Sequence, residues 1–206
     1  MLILALDTSG RTASCALCRD GKVLASETRD SMMDHSRTLL PVCEDLLKHN
    51  GLQLSDIDAF AAVVGPGSFT GVRIGTAAVK GFSWALGKPC AGVSSLLAMA
   101  YGAKEDGVLC TAVDARPGEH YYALFSRENG RVTRLTEDRP APDEEMRADM
   151  TAHGCTHLLC DAQDAAGAAI AAFIFAKDGR LLSCHKLAPV YLKIPQAERL
   201  RKEKNV

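Results

Sequence analysis

Apolar and polar positions alternate in this chain with two different periods. Leu2-Ile3-Leu4-Ala5-Leu6 is an apolar run closed by Asp7. A second run passes through Ala16-Leu17 to a charged turn, Arg19-Asp20-Gly21, and a third follows. Short apolar runs separated by tight polar turns predict three consecutive antiparallel strands. The period then changes. Between Ser36 and Asn50 apolar residues at Leu39, Leu40, Cys43, Leu46 and Leu47 have a helical spacing, and Asn50-Gly51 ends that helix. Asp58–Val64 has strand length, Gly71–Leu86 reads as a long Ala/Gly-rich helix closed by Gly87, Pro89–Val93 as a short strand and Ser94–Tyr101 as a short helix.

The opening pattern occurs twice. Val108–Leu135 again holds an apolar run ending in an aspartate, Asp114, an Ala-Leu pair at Ala123, and a charged turn with Gly130 before a new apolar run. The two copies are offset by 107 residues, half the chain. The second is followed by a helix near Asp143–Ala152, a strand over Thr156–Asp161 and a helix near Ala165–Lys177. Tyr101–Gly107 is the expected boundary between a first lobe, residues 1–103, and a shortened second lobe with a C-terminal tail, residues 104–206. Strands then helices, twice, each copy with an aspartate ending its first strand, is an α/β plan with internal duplication. It resembles the two-lobed actin-like ATPase (ASKHA, RNase H-like) fold. In that fold two such aspartates face each other across a cleft, near nucleotide phosphates and magnesium.

Composition narrows the functions. The 206 residues are 47% hydrophobic and 24% charged, with 24 basic and 25 acidic side chains. These values are globular and exclude a disordered or collagen-like chain. The near-zero charge argues against a protein that grips nucleic acid unaided. The longest apolar run, Ala165 to Ala176, has 12 residues, short of the roughly 20 that span a bilayer. Eight cysteines are scattered through apolar segments. With no recognisable targeting signal, they point to a reducing cytosol.

Two turns carry candidate chemistry. Asp7-Thr8-Ser9-Gly10, with its counterpart at Asp114, could present hydroxyls and amides to an anion and a carboxylate to a cation. An ordinary β-turn uses the same residues. Gly65-Pro66-Gly67-Ser68-Phe69-Thr70-Gly71 links a strand to a helix and reads either as an anion nest or as a tight turn capped by Ser68 or Thr70. It is neither a Walker loop nor a dinucleotide fingerprint. Gly71, Gly75 and Ala78 share one helix face, where another backbone is expected to approach closely, in the same chain or in a partner. Cys15 and Cys18 are three apart on a strand, so their sulfurs diverge. His153, Cys155, His157 and Cys160 match no zinc spacing. There is no nucleophile motif. The tail from Gln196 is locally basic and offers weak RNA contact, or a solvated end.

ILALDTS, then Asp34-His35-Ser36-Arg37-Thr38-Leu39-Leu40-Pro41, GPGSFTGVRIGTAAVKG, GVSSL, VDAR and PVYLKIPQAER together resemble the bacterial TsaB (YeaZ-type) family. Residues 137–185 match poorly. The resemblance implies a non-catalytic scaffold that works with a larger catalytic paralogue, TsaD, and an ATPase, TsaE. The complex transfers threonylcarbamoyl to the adenosine at position 37, 3′ of the anticodon, in tRNAs reading ANN codons. It further implies that the chain pairs with TsaD through its first-lobe helices, forms a homodimer when alone, meets tRNA only indirectly and stays in the cytoplasm. On this reading the partner surface is Gly71, Gly75 and Ala78 with Leu39, Leu40 and Cys43, so a bulky residue at Gly75 should break pairing and spare the fold. The cleft at Asp7, Thr8, Ser9 and Asp114 is vestigial. No metal and no cofactor belong to the chain itself, with ATP and magnesium at most weak ligands. The paralogue's metal-binding His pair falls at Ser95 and Met99, and Met99 is a soft thioether unsuited to a hard metal. His35 reads as a cap or core partner. The rival reading is an actin-fold ATPase or phosphotransferase using Asp7 and Asp114 with magnesium; a metallopeptidase has no constellation to support it.

Overall fold

The structure, a computed structural model, describes residues 1–31 and 34–193. The first half folds as β1 (Leu2–Asp7), β2 (Thr12–Arg19), β3 (Lys22–Asp30), α1 (His35–His49), β4 (Ala59–Gly65), α2 (Phe69–Leu86), β5 (Cys90–Ser94) and α3 (Ser95–Gly102). The second follows as β6 (Gly107–Arg116), β7 (Glu119–Glu128), β8 (Arg131–Arg134), β9 (Arg139–Pro142), α4 (Asp143–Ala152), β10 (His157–Cys160) and α5 (Ala165–Lys177). The expected elements therefore form, and β9 is an addition that the sequence pattern did not announce.

The first sheet has the order β3-β2-β1-β4-β5, and the second β10-β6-β7-β8. In each, the leading strand pairs antiparallel with the next (β1 with β2, β6 with β7) and parallel with a later one (β4, β10). The second sheet thus repeats the 3-2-1-4 order of the first without a counterpart of β5. This is the two-lobed actin-like ATPase fold with its internal duplication. In the second sheet β7 is long enough for two partners: β9 along Glu119–Tyr122 and β8 along Phe125–Glu128.

A central strand covered on both faces must be apolar throughout, which explains the unbroken run at Leu2–Leu6. Leu2, Leu4 and Leu6 point to the layer of α1 and α2, where they meet Leu39, Val42, Leu46 and Val79. Ile3 and Ala5 point to the opposite face and meet α5. Cys15 and Cys18 split the same way, one in each cluster, so the Cys-x-x-Cys sulfurs diverge; all eight thiols are free.

The two halves exchange helices. α5 lies across β1, β2 and β4 of the first sheet, while α3 reaches the second sheet through Leu96 and Met99, which pack with Leu109, Val113 and Phe125. The helices cross so closely that a Cβ on Gly167 would stand 1.9 Å from the Ala98 carbonyl oxygen. This is why α5 is rich in alanine on the side that meets the sheet and α3: Ala165, Ala168, Ala169, Ala171 and Ala172 are fully buried, and larger side chains there would hold the layers apart. No helix among the described residues is long and apolar enough to cross a membrane.

Candidate functional site

The turn after β1 is built from inside the chain. Asp7 is buried, and its Oδ1 accepts the Ser9 amide at 2.7 Å. Its Oδ2 and the Ser9 hydroxyl have no hydrogen-bond partner among the described residues. Burial pushes the Asp7 carboxyl up to about 6; the hydrogen bond from the Ser9 amide pulls it down and the charge of Asp164 adds to the rise. Thr8 makes the tighter connection. Its hydroxyl donates to the Gly71 carbonyl at 2.7 Å and accepts the Gly75 amide at 3.1 Å, so it is inserted into the first turns of α2. A Cβ on Gly71 would meet the Thr8 carbonyl oxygen at 1.9 Å, and one on Gly75 would meet Thr8 Oγ1 at 2.6 Å. The backbone that approaches the glycine face is therefore the chain's own.

The Gly65–Gly71 loop is tied to the same turn and to its own N-cap. The Ser68 amide donates to the Ser9 carbonyl at 2.7 Å, the Gly71 amide to the Ser68 hydroxyl at 3.1 Å and the Val72 amide to the Ser68 carbonyl at 2.9 Å. Ser68 is thus the N-cap of α2, as the turn reading expected. A cleft of about 540 Å³ does open beside these turns, between the sheets. Ser9, Gly10, Ser68, Asp114, Asp161 and Gln163 are among its walls; Asp7 is not. Asp114 is tied to His120 Nε2 at 3.0 Å, and His120 Nδ1 lies 2.7 Å from Asp143. The expectation that Asp7 and Asp114 face each other across a phosphate site meets this geometry: one carboxylate is buried under its turn and the other is paired at the wall. The residues present do not fit a nucleotide phosphate with magnesium held between the two.

The other selected residues separate by burial. Leu39 and Cys43 are 1% and 3% exposed and belong to the core under α1. Gly71 and Gly75 are buried against Thr8, and Ala78 is partly buried against the same core. Leu39, Cys43, Gly71 and Gly75 therefore cannot form a surface, which corrects their assignment to a partner interface, whereas Ala78 keeps part of its surface. Leu40 alone projects outward, at 52% exposure. The outward face of α2 lies one step around the helix: Arg73, Ala77, Gly81, Trp84 and Ala85 are exposed, Trp84 by 73%. Its sequence signal was the spacing of Ala77, Gly81 and Ala85 four apart, which runs alongside the stripe of Gly71 and Gly75. At the N-terminal end of α2 the Arg73 guanidinium lies 3.6 Å from the centre of the Phe69 ring and its Nε donates to the Tyr191 hydroxyl at 2.6 Å.

Ser95 is fully buried and donates to the Pro66 carbonyl at 2.5 Å; Met99 is packed in the core beneath the second sheet. His35 is a core partner, its Nδ1 2.9 Å from the Ser31 hydroxyl, and burial lowers its pKa. His153, Cys155, His157 and Cys160 are not brought together as ligands: among the described residues no group of three or more His, Cys, Asp or Glu could hold a metal ion. The basic tail from Gln196 lies outside the described residues.

Comparison with known proteins agrees with this architecture. Residues 23–147, more than half of the chain, match the family described as TsaD: tRNA N6-adenosine threonylcarbamoyltransferase. The protein of Escherichia coli (strain K12) named tRNA threonylcarbamoyladenosine biosynthesis protein TsaB is 43% identical over 134 residues, 63% of this chain and 58% of that protein. Its namesake from Bacillus subtilis (strain 168) is 35% identical over 140 residues, 68% of this chain and 61% of that protein. In sequence, the chain spans about three-fifths of the length of these curated relatives. The solved structure of YeaZ from Pseudomonas aeruginosa superimposes with a TM-score of 0.80 at 29% identity, over 93% of this chain and 99% of that one. Sequence motifs, duplicated sheets and these matches converge: the chain belongs to the TsaB (YeaZ-type) family.

Proposed function

We propose that this chain is the non-catalytic scaffold subunit of the cytoplasmic complex that places threonylcarbamoyl on the adenosine at position 37 of tRNAs reading ANN codons. It does so by binding a TsaD-type paralogue, with a TsaE-type ATPase and tRNA joined through the complex. The observation that carries the reading is the fate of Ser95 and Met99. The positions that match the paralogue's metal-binding histidines hold a hydroxyl spent on the Pro66 carbonyl and a thioether sealed in the core. Both act in packing. The ATPase reading needs Asp7 and Asp114 at one cleft wall, and Asp7 does not line it.

The surface offered to the paralogue is the outward face of α2, centred on Ala77, Gly81 and Trp84, with Leu40 exposed on α1 in the same layer. Small residues let a partner helix approach closely, and an exposed Trp is the type of anchor that dominates interfaces. Size-exclusion chromatography with light scattering, on the chain alone and mixed with the paralogue from the same source, tests this. A homodimer that exchanges into a heterodimer, and that Trp84→Glu prevents in a folded variant, is expected. A monomer that ignores the paralogue overturns the reading.

A further inference from the structure

A second cavity, of about 820 Å³, lies on the far side of the molecule from α2, between the edge strand β8 and the C-terminal end of α5. It falls within the roughly 300–1,000 Å³ of small-ligand sites. Its charge is one-sided although the whole chain is nearly neutral: Arg131 from β8 and Lys177 and Arg180 from the end of α5 line it, with Asp178 as the acid among the lining residues. None of these three cations has a carboxylate within 4.0 Å among the described residues, whereas the neighbouring Arg134 is committed to Asp138.

Two features make this more than a solvated patch. Cations at a helix C-terminus commonly serve its free carbonyls. Here three of the last four carbonyls are already taken: the amides of Asp178, Gly179 and Arg180 donate to Ile174, Ala176 and Phe175. Lys177 and Arg180 are left over. Arg180 is also held over an aromatic ring, its guanidinium carbon 4.0 Å from the centre of Phe175. A guanidinium stacked on one face is a platform for a planar group on the other. The Tyr101 phenol completes the floor with no hydrogen bond among the described residues, within the fields of Asp178, Arg180 and Arg131.

We propose that this pocket binds a nucleotide unit, with its phosphate on Arg131 and Lys177 and its base on the Arg180–Phe175 stack. The unit is either a free mononucleotide or one residue of a single-stranded RNA; the recognising chemistry is the same. The site is separate from the cleft at Asp114 and from the α2 face, and it does not depend on pairing with a paralogue.

The test is titration of the full chain with inorganic phosphate, AMP, a labelled single-stranded oligoribonucleotide and an acidic peptide, at several salt concentrations. AMP binding more tightly than phosphate is expected. An oligoribonucleotide tighter than AMP identifies RNA as the source, and equal affinity identifies the free nucleotide. The double variant Arg131→Gln, Lys177→Gln should weaken the nucleotide by about tenfold or more and flatten the log–log salt dependence of oligoribonucleotide binding by about 0.7 per cation removed. Arg180→Gln should erase the preference for AMP over phosphate. All three positions are exposed, so unchanged thermal unfolding should accompany these losses. Equal affinity of phosphate and AMP, an acidic peptide that binds as well as RNA, no binding of any probe, or folded variants that bind like the parent overturns the proposal.

Discussion

At the scale of single residues, Thr8 decides the geometry of the central turn. Its hydroxyl and carbonyl fill the space that side chains at Gly71 and Gly75 would occupy. Gly71→Ala should therefore cost about 1–3 kcal/mol or more, because the obstacle is backbone and cannot rotate away. Gly81 in the same helix has nothing within 4 Å of its missing Cβ. Gly81→Ala should stabilise the isolated chain by about 0.5–1 kcal/mol through helix propensity. Urea denaturation of the two variants checks both signs; equal effects would remove Thr8 from the argument. The same result replaces the expectation that a bulky residue at Gly75 spares the fold.

Asp7 carries the second residue-scale prediction. Its folded carboxyl titrates near 6 because burial disfavours the charge, above its ordinary value of 3.8. The native state then binds the proton more tightly than the unfolded chain. This group's contribution falls as pH rises from about 4 through 6, and its penalty of about 3 kcal/mol is complete above that. Asp7→Asn keeps an oxygen for the Ser9 amide and removes the charge. It should raise stability at pH 7.5 and flatten the profile between pH 4 and 6. Parallel profiles for variant and parent would show that Asp7 does not titrate in this range.

At the scale of elements, α5 is defined by what it must cross. Asp164 caps it, accepting the Ala166 amide at 2.8 Å, and the Ala165 amide donates to Ser14 on β2 at 3.0 Å. The helix is thus anchored to the first sheet at its start and pressed against Ala98 at Gly167. Asp164→Ala should cost about 1 kcal/mol from the lost cap. Gly167→Ala should cost more, because its Cβ would enter the Ala98 carbonyl of α3. Chemical denaturation of both variants gives the order; a Gly167 variant milder than the cap variant would mean that α3 and α5 can separate freely. β9 is held by a different device. Arg139 links Glu145 and Asp149 on α4 to the Tyr122 hydroxyl on β7, with distances of 2.5, 2.7 and 2.5 Å. A strand of four residues with two prolines has little β-propensity, and this network supplies what its sequence lacks.

At the scale of the whole molecule, a strap joins the halves. Leu182 pairs with Cys90 at the edge of the first sheet, the Val190 amide donates to Val64 at 2.8 Å, and Lys193 ends on Glu119 of the second sheet. Tyr191 is held on the way by Arg73 and Phe69. Lys193→Glu puts two like charges together there. It should speed hydrogen exchange at the Val190 amide without unfolding the sheets. Exchange unchanged at Val190 would show that the strap is held by its apolar and aromatic contacts alone.

Much of this was written along the chain. Periods of two and 3.6 residues, turn glycines and the repeated Asp, Ala-Leu and Gly positions fix which segments are strands and helices and that the plan occurs twice, because those signals act through local backbone preference. The family motifs are equally local. The sequence also showed that Gly71 and Gly75 need a close neighbour, but a helix stripe does not say which neighbour. Only the packed structure turns that stripe inward onto Thr8 and leaves Ala77, Gly81 and Trp84 outside. It alone buries Asp7 under its turn, carries α5 onto the first sheet, and brings Arg131 beside Lys177 and Arg180 from 46 and 49 residues away. These are contacts between distant segments, chosen by which apolar faces can be buried together, and no local pattern encodes that choice.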